Sequence, residues 1–551
     1  MFPAKLSKSR NPLTTLRKGI GNLFREYCSH SSIHGINYIG SAQRSRWERL
    51  WWVAMLILSI YGCTRLIQNI YYRWDHKPVI VSFDEKPTSV LQIPFPAVTI
   101  CPETKFRPEC LNFSALSEKF FEGNETGKDT VNEEEIQTLL SLIQICDRHY
   151  SHEPYQSMLA KYNLHGNIVE TLRQLSPGKP KKVLFQCRMS MYSCVDWFKE
   201  TLTDEGICYT LNLLPQKEIF RQENLHNDYH YSTSLYNTSS WSSDDGYDSR
   251  AGLLTYPRRI LGSGFESGIY LQLQIPTSYE DYHCREAQGF KVLLHSPAEY
   301  PVTSKKFLRL TFSHEVTIVI KPEIMLTSKS LHSYTPSRRR CFFSHERKLQ
   351  FFAIYNQANC ELECLTNYTR KLCSCVRFSM PHHGRTKICE SYQLECCIQA
   401  ENEVQLLIAN EGIGKESLSE DQCRCLPACN SIEFDTEITQ TKYDFLKSYE
   451  LRYKSRIPAD VLKNITSINF AKLAIYFKQA QYMAMKRNEL FGWTDFIANC
   501  GGVLGLCMGV SLLSLVELLY YCLVRPVLML RQGRESPPVV AERIMTVRSL
   551  Y

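Results

Sequence analysis

Charge is missing from two long stretches of this 551-residue chain. Residues 50–64 carry none, and the apolar character continues through Arg65 to Tyr72. Residues 496–516 are charge-free over 21 positions, and at about 1.5 Å per helical residue they reach across a hydrocarbon core of about 30 Å. Both stretches are long enough to span a bilayer, with Arg65 snorkelling or facing protein. The start of the chain lacks an apolar h-region: its first 20 residues are polar and basic. The first apolar stretch is therefore expected to stay as a membrane helix instead of being removed. Internal repeats are absent, so the chain is not read as a repeat protein. A nucleophile or metal motif in a persuasive context is also lacking; scattered His and Ser read as structural, which sets aside an extracellular enzyme.

The charge that is present sets an orientation. Residues 1–49 hold nine Lys/Arg against two Asp/Glu, and residues 525–551 hold five against two. The ends thus carry +7 and +3, and with +8 for the whole chain, −2 is left for everything between. The positive-inside rule places both termini in the cytosol and the 423 residues 73–495 outside. All five Asn-x-Ser/Thr sequons, at Asn112, Asn124, Asn237, Asn367 and Asn464, fall in that outside region. So do 18 of the 23 cysteines, from Cys101 to Cys429, an even number where disulfides persist. Cys28, Cys63, Cys500, Cys507 and Cys522 are left in or beside the membrane and cytosolic parts. The basic balance is read as a topology signal rather than a sign of a nucleic-acid partner.

The outside region has mixed α and β patterning. "LQIPFPAVTICPE" and "FLRLTFSHEVTIVI" are predicted strands, rich in β-branched residues with alternation and bounded by Pro. "NEEEIQTLLSLIQIC" is predicted to be an amphipathic helix with an acidic first turn. "YSTSLYNTSSWSSDDGYDSRAG" is polar and Gly-bearing, and a mobile loop is expected there. Ten cysteines crowd residues 360–429, as "CELEC", "CSC", "ECC" and "CRCLPAC". Zinc is one reading of such spacings, with "MPHH" nearby; outside the cell, disulfides stapling a subdomain poor in its own core are favoured.

The second apolar stretch, "NCGGVLGLCMGVSLLSLVELL", is more than an anchor. Gly501, Gly505 and Gly509 recur every four residues on one helical face, which close helix packing alone would explain. Ser511, Ser514 and Glu517 add polar groups that need partners or water in lipid. At about 100° per residue, Gly509 and Ser511 point roughly 200° apart on a helix, so both cannot face one pore. In an extended segment they share a face. A helix break at Gly509 is therefore expected, with freed carbonyls and the Ser511 hydroxyl lining a narrow opening. Two helices per chain cannot enclose a pore, so an oligomer with cyclic symmetry is required.

In order along the chain, "SSIHGI", "FPAVTIC", "GICYTLN", "GFKVLLHSP", "CRCLPAC" and "GVSLLSLVE" resemble the motifs of the epithelial sodium channel/degenerin family, and the pattern is similar to its insect pickpocket branch. The resemblance covers nearly the whole chain. It implies an α+β membrane protein with two transmembrane helices flanking a large disulfide-rich extracellular domain, as in acid-sensing channels, assembled as a trimer. The division it implies is a cytoplasmic 1–49 with the His-Gly motif, a first span 50–72, an extracellular 73–495 with a thumb-like disulfide block at about 341–429, a second span 496–524 carrying pore and filter, and a cytoplasmic 525–551.

The resemblance further implies a sodium-preferring cation pore blocked by amiloride, with no cofactor and sodium as the permeant ion. Gly509, Val510 and Ser511 match the selectivity filter, and Glu517 lies on its cytosolic side, attracting cations. His34 and Gly35 match a re-entrant loop that influences open probability. Ala498 matches the degenerin position, where bulky side chains hold family channels open, and Gly502 matches the position associated with amiloride block. Asn499 departs from the Asp of some acid-sensing relatives. The implied disulfides are Cys101 with Cys208, Cys187 with Cys194, Cys341 with Cys429, Cys360 with Cys425, Cys364 with Cys423, Cys373 with Cys396, and Cys375 with Cys389; Cys110, Cys146, Cys284 and Cys397 are left without assignment. The expected function is a subunit of an amiloride-sensitive, non-voltage-gated sodium channel of the plasma membrane, sensory or epithelial, gated through its extracellular domain. Its expected partners are membrane lipid and related subunits in a homo- or heterotrimer. The alternative is a non-conducting two-pass cell-surface receptor, which would not need a small, polar tripeptide within its second span.

Overall fold

The computed structural model describes residues 12–41, 43–122, 132–146, 158–162, 167–229, 241–252, 255–412, 423–453 and 465–532. They fall into two compact units, one of residues 1–80 with 489–551 and the other of residues 81–488.

The larger unit is built on two sheets. Strand His314–Thr327 is the hub of an eight-stranded sheet. It pairs antiparallel with Ser431–Lys442 from His314↔Lys442 to Met325↔Ser431, and parallel with Ile468–Phe477 on its other edge. Ile468–Phe477 in turn pairs antiparallel with Ile269–Pro276. Val316, Ile318, Ile320, Pro322 and Ile324 are buried while the alternate residues are less so, the period of two that points one face at a core. The five-stranded sheet runs in the order Leu308–Leu310, Phe290–His295, Ala97–Pro102, Gly206–Leu211, Lys199–Thr203. All six residues of Ala97–Pro102 are buried. Val98, Ile100 and Val292 share one apolar cluster with Leu271, Ile318 and Leu473 of the larger sheet. Burying each such side chain is worth about 1.5–3 kcal/mol, and this cluster holds the two sheets together.

The predicted strands do not coincide with their motifs: the first is shorter, and the second is divided and runs on to Thr327. Pro94 and Pro96 keep the first out of the sheet until Ala97. The second divides at Ser313, which takes a left-handed conformation (φ 56°) between Leu308–Leu310 and His314–Thr327. The acidic helix forms as Glu133–Ile143, with Asn132 and Glu135 making a reciprocal cap. The expected mobile loop is corrected in part. Residues 230–240 lie outside the described residues, but Trp241–Ser242 pairs with Gly246–Tyr247, and Trp241 is buried in a core. Tyr247 donates to the Pro257 carbonyl (2.7 Å) and carries the Arg259 guanidinium 4.2 Å above its ring. Two aromatic rings with partners outweigh a polar composition.

In the disulfide block, helices Gln357–Cys373 and Leu394–Gly412 pack on each other. The structure joins Cys341–Cys429, Cys360–Cys425, Cys364–Cys423, Cys373–Cys396 and Cys375–Cys389 there. Elsewhere it joins Cys101–Cys208, Cys187–Cys194 and Cys146–Cys284. Cys110, exposed, and Cys397, buried, remain thiols.

Among the described residues the smaller unit contains one helix long and apolar enough to cross a membrane, Arg46–His76, which starts at a Ser45/Glu48 capping box. The second apolar stretch is not one helix. Helices Trp493–Met508 and Leu512–Leu519 are separated by Gly509, Val510 and Ser511, and the chain is bent by 76° between Trp493–Met508 and Leu512–Leu528.

Candidate functional site

Every part of the site lies in the smaller unit. Helix Trp493–Met508 ends because Gly509 takes φ +69°, ψ 21°, a left-handed cap that only glycine adopts without a Cβ penalty. The Gly509 amide still reaches the Gly505 carbonyl (2.8 Å), so the helix closes its last turn before the chain departs. Ser511 then caps the next helix: its hydroxyl accepts from the Ser514 amide (3.3 Å), and the Ser511 amide donates to Ser514 Oγ (3.1 Å). Between them the Val510 amide reaches back to the Leu504 carbonyl (3.4 Å), so the first helix's cap runs through Val510 and the chain turns over a single short step.

That step is covered by the loop before the first long helix. The His34 amide donates to the Met508 carbonyl (3.0 Å), an acceptor that the broken helix leaves free. The His34 ring lies against the Gly509 α-carbon so closely that an added Cβ would overlap it. Gly35, at φ +90°, turns the chain into helix Ile36–Gly40. His34, Gly35 and Gly509 are thus brought together, from motifs far apart in sequence.

Three further contacts fasten the loop to helix Leu512–Leu519. Ser32 Oγ lies 2.6 Å from Ser514 Oγ, and Ser514 is buried at 1% exposure. The Ser32 amide and hydroxyl both donate to Glu517 Oε2, at 3.1 and 2.9 Å. Glu517 therefore enters the site as a hydrogen-bond acceptor for the loop, with Oε1 left over. Sequence reasoning singled out Ser514 and Glu517 but missed Ser32. The serine run of "SSIHGI" next to the His-Gly pair was the available signal.

Outside this centre, Arg525 pairs with Glu26 (2.7 Å), and Tyr27 meets Tyr521 edge-on, which ties helix Pro12–His30 to the C-terminal end of the bent pair. Tyr38 stacks on Trp52 at 4.4 Å with Arg44 over its other side. Ala498 and Gly502 lie one turn apart on the outer helix, both exposed in the single chain, and nothing lies within 4 Å of a Cβ placed at Gly502. Asn499 spends its side-chain amide on the Asp495 carbonyl (2.8 Å).

In the larger unit, the Asn112 side chain caps helix Phe113–Ser117 through its Oδ1, and Asn367 is half-buried on its helix. Asn124, Asn237 and Asn464 lie outside the described residues.

A family model described as "amiloride-sensitive sodium channel" matches residues 27–521. Similar proteins include pickpocket protein 28 of Drosophila melanogaster, 27% identical over 91% of this chain and 78% of the relative. Sodium channel protein Nach of Drosophila melanogaster is 22% identical over 90% of this chain and 86% of its own length. Acid-sensing ion channel 1 of Gallus gallus is 22% identical over 90% of this chain and 82% of its own length.

Proposed function

Because the chain belongs to the amiloride-sensitive sodium channel family, whose members are ion channels and not enzymes, we propose that it is a subunit of a sodium-preferring, non-voltage-gated cation channel of the plasma membrane. The observation that carries this reading is the helix break at Gly509–Ser511 with the His34 loop seated on it. A receptor that only needs anchoring has no use for a capped break at membrane depth, which leaves polar backbone to be satisfied by protein or water. A permeating ion has such a use: carbonyls and a hydroxyl at one narrow step replace part of its hydration shell.

In this reading residues 50–72 and 496–524 are the two spans, both termini are cytoplasmic and residues 73–495 are extracellular. Gly509, Val510 and Ser511 form the constriction. Glu517 draws cations on the cytosolic side while one of its oxygens holds Ser32. His34, Gly35 and Ala498 act in gating, Gly502 takes part in amiloride block, and the extracellular domain carries the stimulus to the second span. Three copies, identical or related, surround the pore, in a sensory or epithelial cell.

Expression of the chain with Ala498→Val, alone and with sibling subunits, should give an amiloride-sensitive sodium current. Surface expression without cation current in every combination would sink the reading. Ser511 replaced by a larger residue in the conducting assembly should change conductance and ion preference; unaltered values would remove the filter role.

A further inference from the structure

Along helix Arg46–His76, Leu56, Ser59, Cys63, Ile67 and Ile70 are each less exposed than their neighbours. The steps of three and four residues between them trace one helical face, and the helix packs on Trp493–Met508. Ser59 is the one hydroxyl in that stripe. A hydroxyl in an apolar helix can spend its proton on its own backbone one turn back, and Thr64, on the exposed side, does so to the Ile60 carbonyl (2.8 Å). Ser59 instead crosses to the other helix and donates to the Cys507 carbonyl (2.7 Å).

Cys507 stands two residues before Gly509, in the last turn of its helix. A helix end leaves its last four carbonyls without donors of its own regular ladder. Here the Gly505 carbonyl accepts from the Gly509 amide (2.8 Å), the Met508 carbonyl from the His34 amide (3.0 Å), and the Cys507 carbonyl from Ser59. Two of these donors come from other segments: the loop before the first long helix, and that helix itself. We propose that Ser59 is a positioning residue for permeation: by holding the Cys507 carbonyl it fixes the end of helix Trp493–Met508, and with it the width of the step at Gly509–Ser511 that prefers sodium. This rests on the channel reading above and adds the first span to the parts that set ion preference. Without the hydroxyl, the Cys507 carbonyl loses its donor in lipid and tilts toward water or a cation instead. A loosened step discriminates less against potassium, which is larger and gives up its hydration shell more readily than sodium.

The test measures reversal potentials with sodium and potassium on opposite sides, in cells expressing the full chain with Ala498→Val as the parent, alongside surface biotinylation. Ser59→Ala should lower the sodium-to-potassium permeability ratio about threefold at an unchanged surface level, the worth of a typical interhelical hydrogen bond in lipid. Ser59→Thr keeps the hydroxyl and should hold the parent ratio. Thr64→Ala, which removes a bond confined to the first helix, should leave it unchanged. The parent ratio in Ser59→Ala would overturn the proposal while the channel reading stands, and so would a ratio in Ser59→Thr as low as that of Ser59→Ala. A parent without current in every subunit combination would bring down the channel reading and the proposal with it. Should Ser59→Ala fail to reach the surface, Ser59→Cys, whose thiol is a weaker donor, decides the matter. A lowered ratio supports the role of Ser59, and the parent ratio rejects it.

Discussion

At Gly509 two separate demands fall on one α-carbon. The backbone needs a left-handed conformation, which costs an L-residue about 1–2 kcal/mol, and the His34 ring occupies the place of a side chain. Gly509→Ala should therefore dislodge the His34 loop or the break itself, and the expected result is normal synthesis with sodium current reduced or its ion preference altered. Patch-clamp recording beside surface biotinylation checks this, and an unchanged current would mean that the loop does not seat on the break. Ser32 makes a different kind of claim, because it acts through Glu517 and Ser514. Ser32→Ala removes the hydroxyl bonds to both, worth about 1 kcal/mol at a partly exposed site, or about fivefold in the open–closed equilibrium. Ser32→Thr keeps the hydroxyl and should restore the wild-type open probability in single-channel records; a loss of unit conductance with open probability intact would assign Ser32 to permeation.

Among the elements, strand Phe290–His295 ends on a histidine that burial holds at about 4, well below the ordinary imidazole value. Thr99 Oγ1 meets His295 Nε2 at 2.9 Å, and the Ser296 carbonyl lies 3.0 Å from Nδ1. The unfolded chain takes a proton near pH 6.5 and the native chain resists it until about 4, so the native state binds fewer protons in that window. Stability is whole above pH 6.5 and is lost as pH falls toward 4. Glu299, four residues on, works in the opposite sense: burial pushes its carboxyl up to about 7, and stability falls as pH rises toward that value. The two are separated by comparison with a variant. Wild type should lose roughly 2 kcal/mol relative to His295→Gln between pH 7 and 4.5, measured as thermal unfolding of the full chain in detergent. Parallel pH profiles would place the imidazole in water.

The same elements show what could be read in advance. The break at Gly509 was legible because helical periodicity makes Gly509 and Ser511 incompatible on one face. Strand Ala97–Pro102 and helix Glu133–Ile143 were legible from alternation and capping. The bond between Ser32 and Glu517 was not, since 485 residues separate them and no local rule reaches that far. Trp241 was misread because loop composition was averaged over a segment in which one indole decides the packing.

For the whole molecule, the decisive quantity is how many copies surround the axis. Among the described residues one chain supplies one continuous apolar helix and one broken pair, which cannot enclose an aqueous path. Helix Trp493–Met508 also leaves Ala498 and Gly502 exposed on one face, and small residues on one face let backbones approach closely where chains meet in lipid. Closed rotational symmetry follows if each copy offers the same face to the axis, because identical contacts that do not close would grow into a filament. Three copies are expected from family membership. Stepwise photobleaching of the chain carrying one fluorophore at its carboxyl end should give a distribution with a ceiling of three steps. A ceiling of four would discard the trimer, while a ceiling of one or two among surface spots that nevertheless conduct would require unlabelled sibling subunits, separating a heteromeric from a homomeric channel.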